Sequence, residues 1–133
     1  MNKSDCIFCK ISTGVIPAHK IYEDDKVLAF LDISPVKPGH TLLIPKDHYD
    51  MMLDTPDELV AYIFTKAKFL MLVIKKALAV DFVVVSVVGV EVSHFHIHLT
   101  PRQFNDNLAN FWPQGKYEPG EAEEYTKKII EAL

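Results

Sequence analysis

Short hydrophobic runs, separated by turn residues, mark the first part of the chain. The runs are Lys20–Glu23, Val27–Leu31 and Thr41–Ile44. Two aspartates follow the first run, and a segment with two prolines and a glycine (35–39) follows the second. Short apolar runs bounded by such residues are typical of β-strands joined by turns. We therefore predict three strands before residue 46.

A different spacing governs the stretch from Thr55 to about Ala79. Its apolar positions recur every three or four residues, at Leu59, Ile63, Ala67, Leu70 and Ile74. That period places them on one helical face and predicts a single long helix. Thr55, Pro56 and Glu58 have the pattern of a helix start with a capping box. Further apolar residues at Phe69, Met71 and Leu72 indicate a helix that is covered on more than one side.

The last third of the chain predicts two more strands and a second helix. Phe82–Val90 is rich in β-branched residues, which favour a buried strand, and Ser93–Gln103 follows as another. A short C-terminal helix begins near Pro119, with acidic residues early and lysines late, as the helix dipole favours. The order predicts an α+β fold, a mostly antiparallel five-stranded sheet with one long helix and a short C-terminal helix. We expect a single domain over 1–133, with its core at about 6–104 and a tail at about 105–133.

Composition narrows the class of protein. Of the 133 residues, 49% are hydrophobic and 24% are charged, with a net charge of −4, so general nucleic-acid binding is not expected. No secretory signal pattern is visible at the start, and the longest apolar runs are too short for a membrane span. We therefore expect a cytoplasmic protein, without membrane association, whose cysteines Cys6 and Cys9 stay reduced.

Three of the six histidines stand at alternate positions in "SHFHIHLTPRQ". In a strand, His94, His96 and His98 would share one face, and the apolar residues between them would share the other. Imidazole is both a common metal ligand and a nucleophile or acid. Same-face strand positions are far apart for three ligands of one ion. The pattern therefore favours catalysis for at least the middle histidine.

Several segments together resemble the histidine triad family. "HFHIHLT" matches its histidine signature, and "CIFCKI", "IPAHKIYEDDKVLAFLDISPVKPGHTLLIPKDH" and "GKYEPGEAEEYTKKI" resemble its bacterial, purine nucleotide-binding branch, in the same order. The match covers nearly the whole chain. It implies the fold of that family and a homodimer that joins two five-stranded sheets edge to edge.

The resemblance also implies a reaction and the residues that perform it. His96 would attack the α-phosphorus of a nucleotide to give a nucleotidyl-histidine, and His98 would hydrogen-bond the phosphoryl oxygens or assist the leaving group. Substrates would be purine nucleoside phosphoramidates or related conjugates. Asp32 would bind the ribose hydroxyls, although a turn residue is the alternative. Five further residues match the base pocket, and at least one of them could be ordinary core: Phe8, Ile11, Ile16, Phe30 and Ile33.

Zinc is the expected cofactor. Cys6 and Cys9 have the spacing of a zinc half-site. In family members with this pair, the other two ligands are histidines that correspond here to His48 and His94. The alternative is that the cysteines only fill space.

The other histidines and the tryptophan are given lesser roles. His40 matches a family position to which we assign no catalytic role, and His19 is expected at the surface. Trp112 is expected to pack at a dimer or tail contact.

The chain departs from the family pattern before the triad. By position, Val83 replaces a usual asparagine, Val90 a glutamine, and Glu91 a serine or threonine. Valine cannot donate a hydrogen bond, and Glu91 would repel a phosphate unless it points elsewhere or bonds a hydroxyl. These departures favour a second hypothesis, a nucleotide-binding regulatory or scaffold protein with weak or no turnover. A histidine-rich metal carrier is a third, disfavoured because zinc would occupy only His94 of the triad.

Overall fold

The computed structural model describes residues 3–108 and 114–133, and an antiparallel sheet forms its centre. The strands are β1 (Lys20–Glu23), β2 (Val27–Leu31), β3 (Thr41–Pro45), β4 (Phe82–Ser86) and β5 (Ile97–Arg102). They are ordered β1-β2-β3-β5-β4, and each neighbouring pair is antiparallel. The predicted α+β fold with a five-stranded antiparallel sheet is confirmed. Trp112 lies outside the described residues.

The helices are α1 (Ile7–Ser12), α2 (Asp57–Leu78) and α3 (Glu121–Glu131), with short 3-10 turns at Lys3–Asp5 and Met52–Asp54. The long and C-terminal helices were both predicted. The capping box at Thr55 is wrong, because the Thr55 hydroxyl donates to the Met51 carbonyl at 3.0 Å and no side chain caps α2. The preceding 3-10 turn brings that carbonyl within reach of the hydroxyl. None of the described helices is long and apolar enough to cross a membrane.

Different elements pack on the two faces of the sheet. One face packs on α2 through a cluster that comprises Val27, Ala29, Leu43, Ile63, Ala67, Leu70, Ile74, Phe95, Ile97 and Leu99. The other face packs on the N-terminal segment through Cys6, Phe8, Cys9, Ile11, Leu28, Phe30, Leu42 and Ile44. The apolar residues of the triad segment thus point to α2, as their alternation predicts. The three histidines therefore lie on the face covered by α1, beside the two cysteines.

The strands around the triad are shorter than predicted. β4 ends at Ser86 rather than Val90, and β5 begins at Ile97, so the segment between them lies outside the ladder. Val88 and Val90 in that segment are exposed, and Gly89 has a φ of 72°. β-branched residues favour strands only where a neighbouring strand pairs with them, and none pairs with this segment. It forms a connection instead, and only His98 of the triad lies within β5.

Candidate functional site

Two cysteines and two histidines meet beneath α1. The Sγ atoms of Cys6 and Cys9, together with one ring nitrogen each of His48 and His94, all lie within 4.8 Å of one another. Cys6 and Cys9 bracket the start of α1, where the Cys9 backbone N–H donates to the Cys6 sulfur at 3.4 Å. His48 follows β3, and His94 precedes β5. The sheet thus assembles four residues from three distant parts of the chain.

The hydrogen bonds of His94 determine which ring nitrogen faces the cysteines. Its Nε2 lies 2.8 Å from the Pro45 carbonyl oxygen. A carbonyl can only accept, so Nε2 carries the proton and Nδ1 carries a lone pair. Nδ1 lies 3.3 Å from the Cys6 sulfur and 3.5 Å from the Cys9 sulfur. Burial lowers the pKa of His94 to about 4, which keeps the ring neutral and able to act as a ligand.

His48 is oriented in the same way. Its Nε2 lies 2.8 Å from the Asp50 carboxylate, and its Nδ1 lies 3.3 Å from the Cys9 sulfur. The hydrogen bond from His48 lowers the pKa of Asp50, which therefore stays ionised as an acceptor. A ligand histidine that donates its second N–H to an oxygen is the usual support of a metal site.

The cluster fits a tetrahedral zinc ion. Zinc–sulfur bonds of about 2.3 Å and zinc–nitrogen bonds of about 2.0 to 2.1 Å imply sulfur–nitrogen edges of about 3.5 Å in a tetrahedron. The sulfur–nitrogen distances from Cys6 to His94, from Cys9 to His94 and from Cys9 to His48 are 3.3, 3.5 and 3.3 Å. Donor type, donor number and spacing therefore agree with one zinc ion.

One ring nitrogen of His96 carries a lone pair and is accessible to solvent. Its Nδ1 lies 2.7 Å from the backbone carbonyl oxygen of His94, so Nδ1 carries the proton. Nε2 therefore holds the lone pair. Among the described residues Nε2 has no hydrogen-bond partner, and no buried side-chain nitrogen lacks one, so Nε2 reaches the solvent. The ring itself is buried, with its centroid 5.2 Å from that of Phe8 and 4.9 Å from that of His98.

A chain of hydrogen bonds orients His98 through His40. The Val36 backbone N–H donates to Nδ1 of His40 at 3.1 Å, so the neutral His40 carries its proton on Nε2. Nε2 lies 3.0 Å from Nδ1 of His98 and donates to it. His98 must then carry its own proton on Nε2, which can donate to a ligand. Burial lowers the pKa of both His40 and His98, which favours the two neutral rings that this chain requires.

His40 is a member of the site that the sequence did not assign. Thr41 pairs with Leu99 and Leu42 with His98, so the start of β3 lies beside the triad strand. Once that pairing is known, a histidine at position 40 becomes a candidate partner for position 98. His19, by contrast, is exposed, as expected.

A second cluster of possible metal ligands does not fit a metal. Asp32, His40 and His98 have donor atoms within 4.8 Å of one another. A metal bound at Nε2 of a neutral His40 would require the proton on Nδ1. The Val36 N–H points at that atom and excludes this tautomer. The cluster is therefore a hydrogen-bonded chain.

Asp32 lies at the edge of the histidine face, and its two carboxylate oxygens have different surroundings. Oδ1 accepts from the Ser34 backbone N–H at 2.8 Å, which is the turn that the sequence allowed. Oδ2 lies 3.8 Å from Nε2 of His40. The carboxylate is half-buried, and Oδ2 retains acceptor capacity beside the triad.

The five residues assigned to the base pocket fall into two groups. Phe8, Ile11 and Phe30 are buried in the cluster beneath the histidine face, and Ile16 packs partly against it. Ile33 is 90% exposed beside Asp32. The buried three shape the floor under the triad, since the Phe8 ring stands edge-on to both Phe30 and His96.

One departure from the family pattern, Val83, lies away from the histidines. Val83 packs with the α2 cluster, on the face opposite to the histidines, so its lack of a donor does not affect the triad. The β4 residue paired with His98 is Ser86, which has a hydroxyl. Val90 and Glu91 lie in the exposed connection that follows.

Comparison with known proteins identifies the family. The sequence model of the HIT domain, the histidine triad domain, matches residues 13–105. An adenylylsulfatase of Arabidopsis thaliana is 40% identical over 111 residues, which cover 80% of this chain and 56% of that protein. An adenosine 5′-monophosphoramidase of Saccharomyces cerevisiae is 40% identical over 114 residues, covering 81% and 70%. The chain belongs to the histidine triad family.

Solved structures agree in fold. A HIT family protein of Bacillus subtilis superposes with a TM-score of 0.85 at 35% identity, with 97% of each chain covered. A zinc-bound histidine triad family protein of Mycobacterium smegmatis has a TM-score of 0.77 at 31% identity, covering 99% of this chain and 100% of that one. The family thus includes hydrolases of nucleotide conjugates and at least one zinc-bound member.

Proposed function

We propose that this protein is a nucleotide-binding hydrolase that cleaves purine nucleoside phosphoramidates or related nucleotide conjugates. The single observation that carries the proposal is the pair of tautomers at His96 and His98. One ring offers a lone pair on Nε2, and its neighbour offers an N–H on Nε2. A nucleophile beside a fixed donor is what attack at a phosphoryl group requires. The names of the two enzyme relatives support the same chemistry.

The proposed reaction has two steps. Nε2 of His96 attacks the α-phosphorus, the phosphorus–nitrogen bond breaks, and the leaving nitrogen takes a proton from solvent and departs as an amine. Water then attacks the nucleotidyl-histidine, the nucleoside monophosphate leaves, and the proton returns to solvent. His98 donates its Nε2–H to a phosphoryl oxygen, and the His94 carbonyl holds the Nδ1 proton of His96 while positive charge develops on that ring. Release of AMP from adenosine 5′-phosphoramidate by the purified protein tests the proposal.

A second candidate function is nucleotide binding with weak or no turnover. The observation that favours it is the connection before the triad, where the Val90 side chain offers no donor and Glu91 adds a negative charge. If AMP binds but no phosphoramidate is cleaved, this function replaces the first.

For the ribose, we propose Asp32 as the ligand. Substitution of Asp32 by Asn retains an oxygen acceptor for the Ser34 N–H but removes the charge. It is expected to weaken AMP binding by about 1.5 to 3 kcal/mol, the range for hydrogen bonds to a charged group. The 2′,3′-dideoxy nucleotide should lose far less affinity. Calorimetric titration of both ligands against wild type and Asp32→Asn measures this, and equal losses for the two ligands would make Asp32 a turn residue only.

We propose zinc as a structural cofactor, held by Cys6, Cys9, His48 and His94. When bound, the ion would tie the start of α1 to the ends of two strands beneath the triad. It would also fix the His94 backbone, whose carbonyl holds His96. Zinc binding needs reduced thiols, and Cys6 and Cys9 form no disulfide in the structure. This requirement supports a cytoplasmic location, which cell fractionation would test.

We propose a homodimer formed through α2 and the edge strand β4. Three apolar side chains on the outer side of α2 are exposed, Phe69 at 48%, Leu72 at 68% and Val73 at 44%. β4 has a sheet neighbour on one side only, so its other edge can pair with a second copy across a twofold axis. The exposed residues explain why the apolar pattern of α2 extends beyond the face that packs on its own sheet.

Substitution of Leu72 by Asp is expected to give a folded monomer, because a charge on this surface would be buried by the partner. Leu53→Asp is the matched control, since Leu53 is 88% exposed on the Met52–Asp54 turn, away from this surface. Sedimentation velocity distinguishes the two states. A wild type that is monomeric at micromolar concentration, or a Leu72→Asp variant that stays dimeric, would contradict the proposed dimer.

A further inference from the structure

The segment 87–93, which joins β4 to the histidine triad, is called here the triad loop. It leaves β4 directly after Ser86, which pairs with His98. Near its other end Val92 packs with the cluster beneath the histidines. The triad loop is therefore anchored at both ends next to the two rings proposed to handle the phosphoryl group.

The side chains of the triad loop offer one charge and one hydrogen-bond donor, the Ser93 hydroxyl. Its sequence is Val-Val-Gly-Val-Glu-Val-Ser, in which Glu91 is the only ionisable residue. Burial lowers the pKa of His98, while the carboxylates of Asp32 and Glu91 act against that shift. Glu91 directly precedes Val92, which packs with the cluster beneath the histidines, so Glu91 places an exposed negative charge at the edge of the face that would bind the substrate.

Building on the proposed function, we propose that Glu91 is a specificity residue of this site. It would favour conjugates whose leaving group departs as an amine, and disfavour those whose leaving group departs as an anion. The failure of this proposal would leave the hydrolase itself intact.

The charges of the two leaving groups explain the expected selection. When a phosphoramidate is cleaved, the phosphorus–nitrogen bond breaks and the nitrogen, once protonated from solvent, leaves as a neutral amine or an ammonium ion. When adenylyl sulfate is cleaved, the phosphorus–oxygen bond breaks and its oxygen leaves with the sulfur. The sulfate then carries one more negative charge than it did in the substrate. A nearby carboxylate opposes that development of charge and tolerates or attracts the ammonium ion.

Steady-state kinetics of Glu91→Gln tests the proposal with two substrates, the adenosine 5′-phosphoramidate of a primary amine and adenylyl sulfate. The ratio of kcat/KM for adenylyl sulfate to that for the phosphoramidate is expected to rise about 3- to 10-fold, a modest effect because Glu91 is exposed and screened. The change should shrink as salt is raised. Glu58→Gln makes the same change in net charge at the start of α2 and should leave the ratio within twofold.

The outcomes separate the two proposals. A ratio that stays within twofold in Glu91→Gln, or that changes equally in Glu58→Gln, overturns the role of Glu91 while cleavage itself upholds the hydrolase. If the wild type cleaves neither substrate, the proposed hydrolase fails, and the role of Glu91 is tested by nucleotide binding instead. The affinity for AMP relative to adenosine should then rise about 3-fold or more in Glu91→Gln, and an unchanged ratio overturns the role.

Discussion

Replacement of His96 by Asn or Gly is expected to abolish the covalent intermediate and to lower phosphoramidate turnover at least about 1,000-fold, because it removes the ring nitrogen that supplies the attacking lone pair. AMP affinity should change little, since the ribose and phosphate contacts assigned to Asp32 and His98 remain. The measurement is a single turnover with substrate labelled in the α-phosphate, followed by peptide mapping. The quench should be alkaline and denaturing, because acid hydrolyses the phosphorus–nitrogen bond of a phosphohistidine.

Two variants serve as comparisons for His96. His98→Asn should slow turnover by about 100-fold, the effect of losing one donor to the transition state, and should still allow label to accumulate on His96. His19→Ala changes an exposed histidine outside the site and should change neither rate nor label. Label recovered on a different histidine, or normal turnover in His96→Asn, would overturn the assignment of the nucleophile.

Loss of the proposed zinc ion is expected to have the largest effect on stability. The purified wild type should hold one equivalent of zinc, with bonds of about 2.3 Å to sulfur and 2.0 to 2.1 Å to nitrogen in X-ray absorption. Cys9→Ser should retain less than a tenth of an equivalent. With free zinc about 1,000-fold above its dissociation constant, binding adds about 4 kcal/mol to the free energy of unfolding, and chelation should remove that amount.

The control for zinc is a histidine outside the cluster. His19→Ala should bind zinc and unfold like the wild type, and chelator should not affect the stability of Cys9→Ser. A wild type purified without chelator that holds less than a tenth of an equivalent of zinc would refute the site. Equal stability with and without chelator would show instead that any bound zinc does not support the fold.

Much of the architecture follows from local pattern alone. The alternation of His94, His96 and His98 with apolar residues placed the histidines on one face, and the structure confirms it. The helical period from Leu59 to Ile74 located α2 and its buried side. Both inferences succeed because the geometry of a single strand or helix depends on residues close in sequence.

The residues at which the elements begin and end could be located only from the folded structure. The β-branched run from Phe82 predicted a strand to Val90, but β4 stops at Ser86, where its pairing with β5 ends at the Ser86–His98 pair. The sequence around Thr55 is typical of a helix cap. In the fold, however, the Thr55 hydroxyl donates to the Met51 carbonyl and does not cap α2. In each case the folded chain overrode the local preference, by withholding a pairing strand from 87–90 and by offering Thr55 another acceptor.

The sequence by itself determined the candidate site residues: the alternating histidines, the cysteine pair and the family pattern that joins them to Asp32. Only the tertiary structure decided what each ring nitrogen does. The Pro45 and His94 carbonyls and the Val36 N–H choose the tautomers of His94, His96 and His40, and through His40 that of His98. The Pro45 carbonyl lies on β3, far from His94 in sequence, whereas the His94 carbonyl and the Val36 N–H lie two and four residues from the rings they orient and reach them through the conformation of the folded backbone. A hydrogen-bond donor or acceptor acts on a ring through its position in space, which spacing along the chain does not specify.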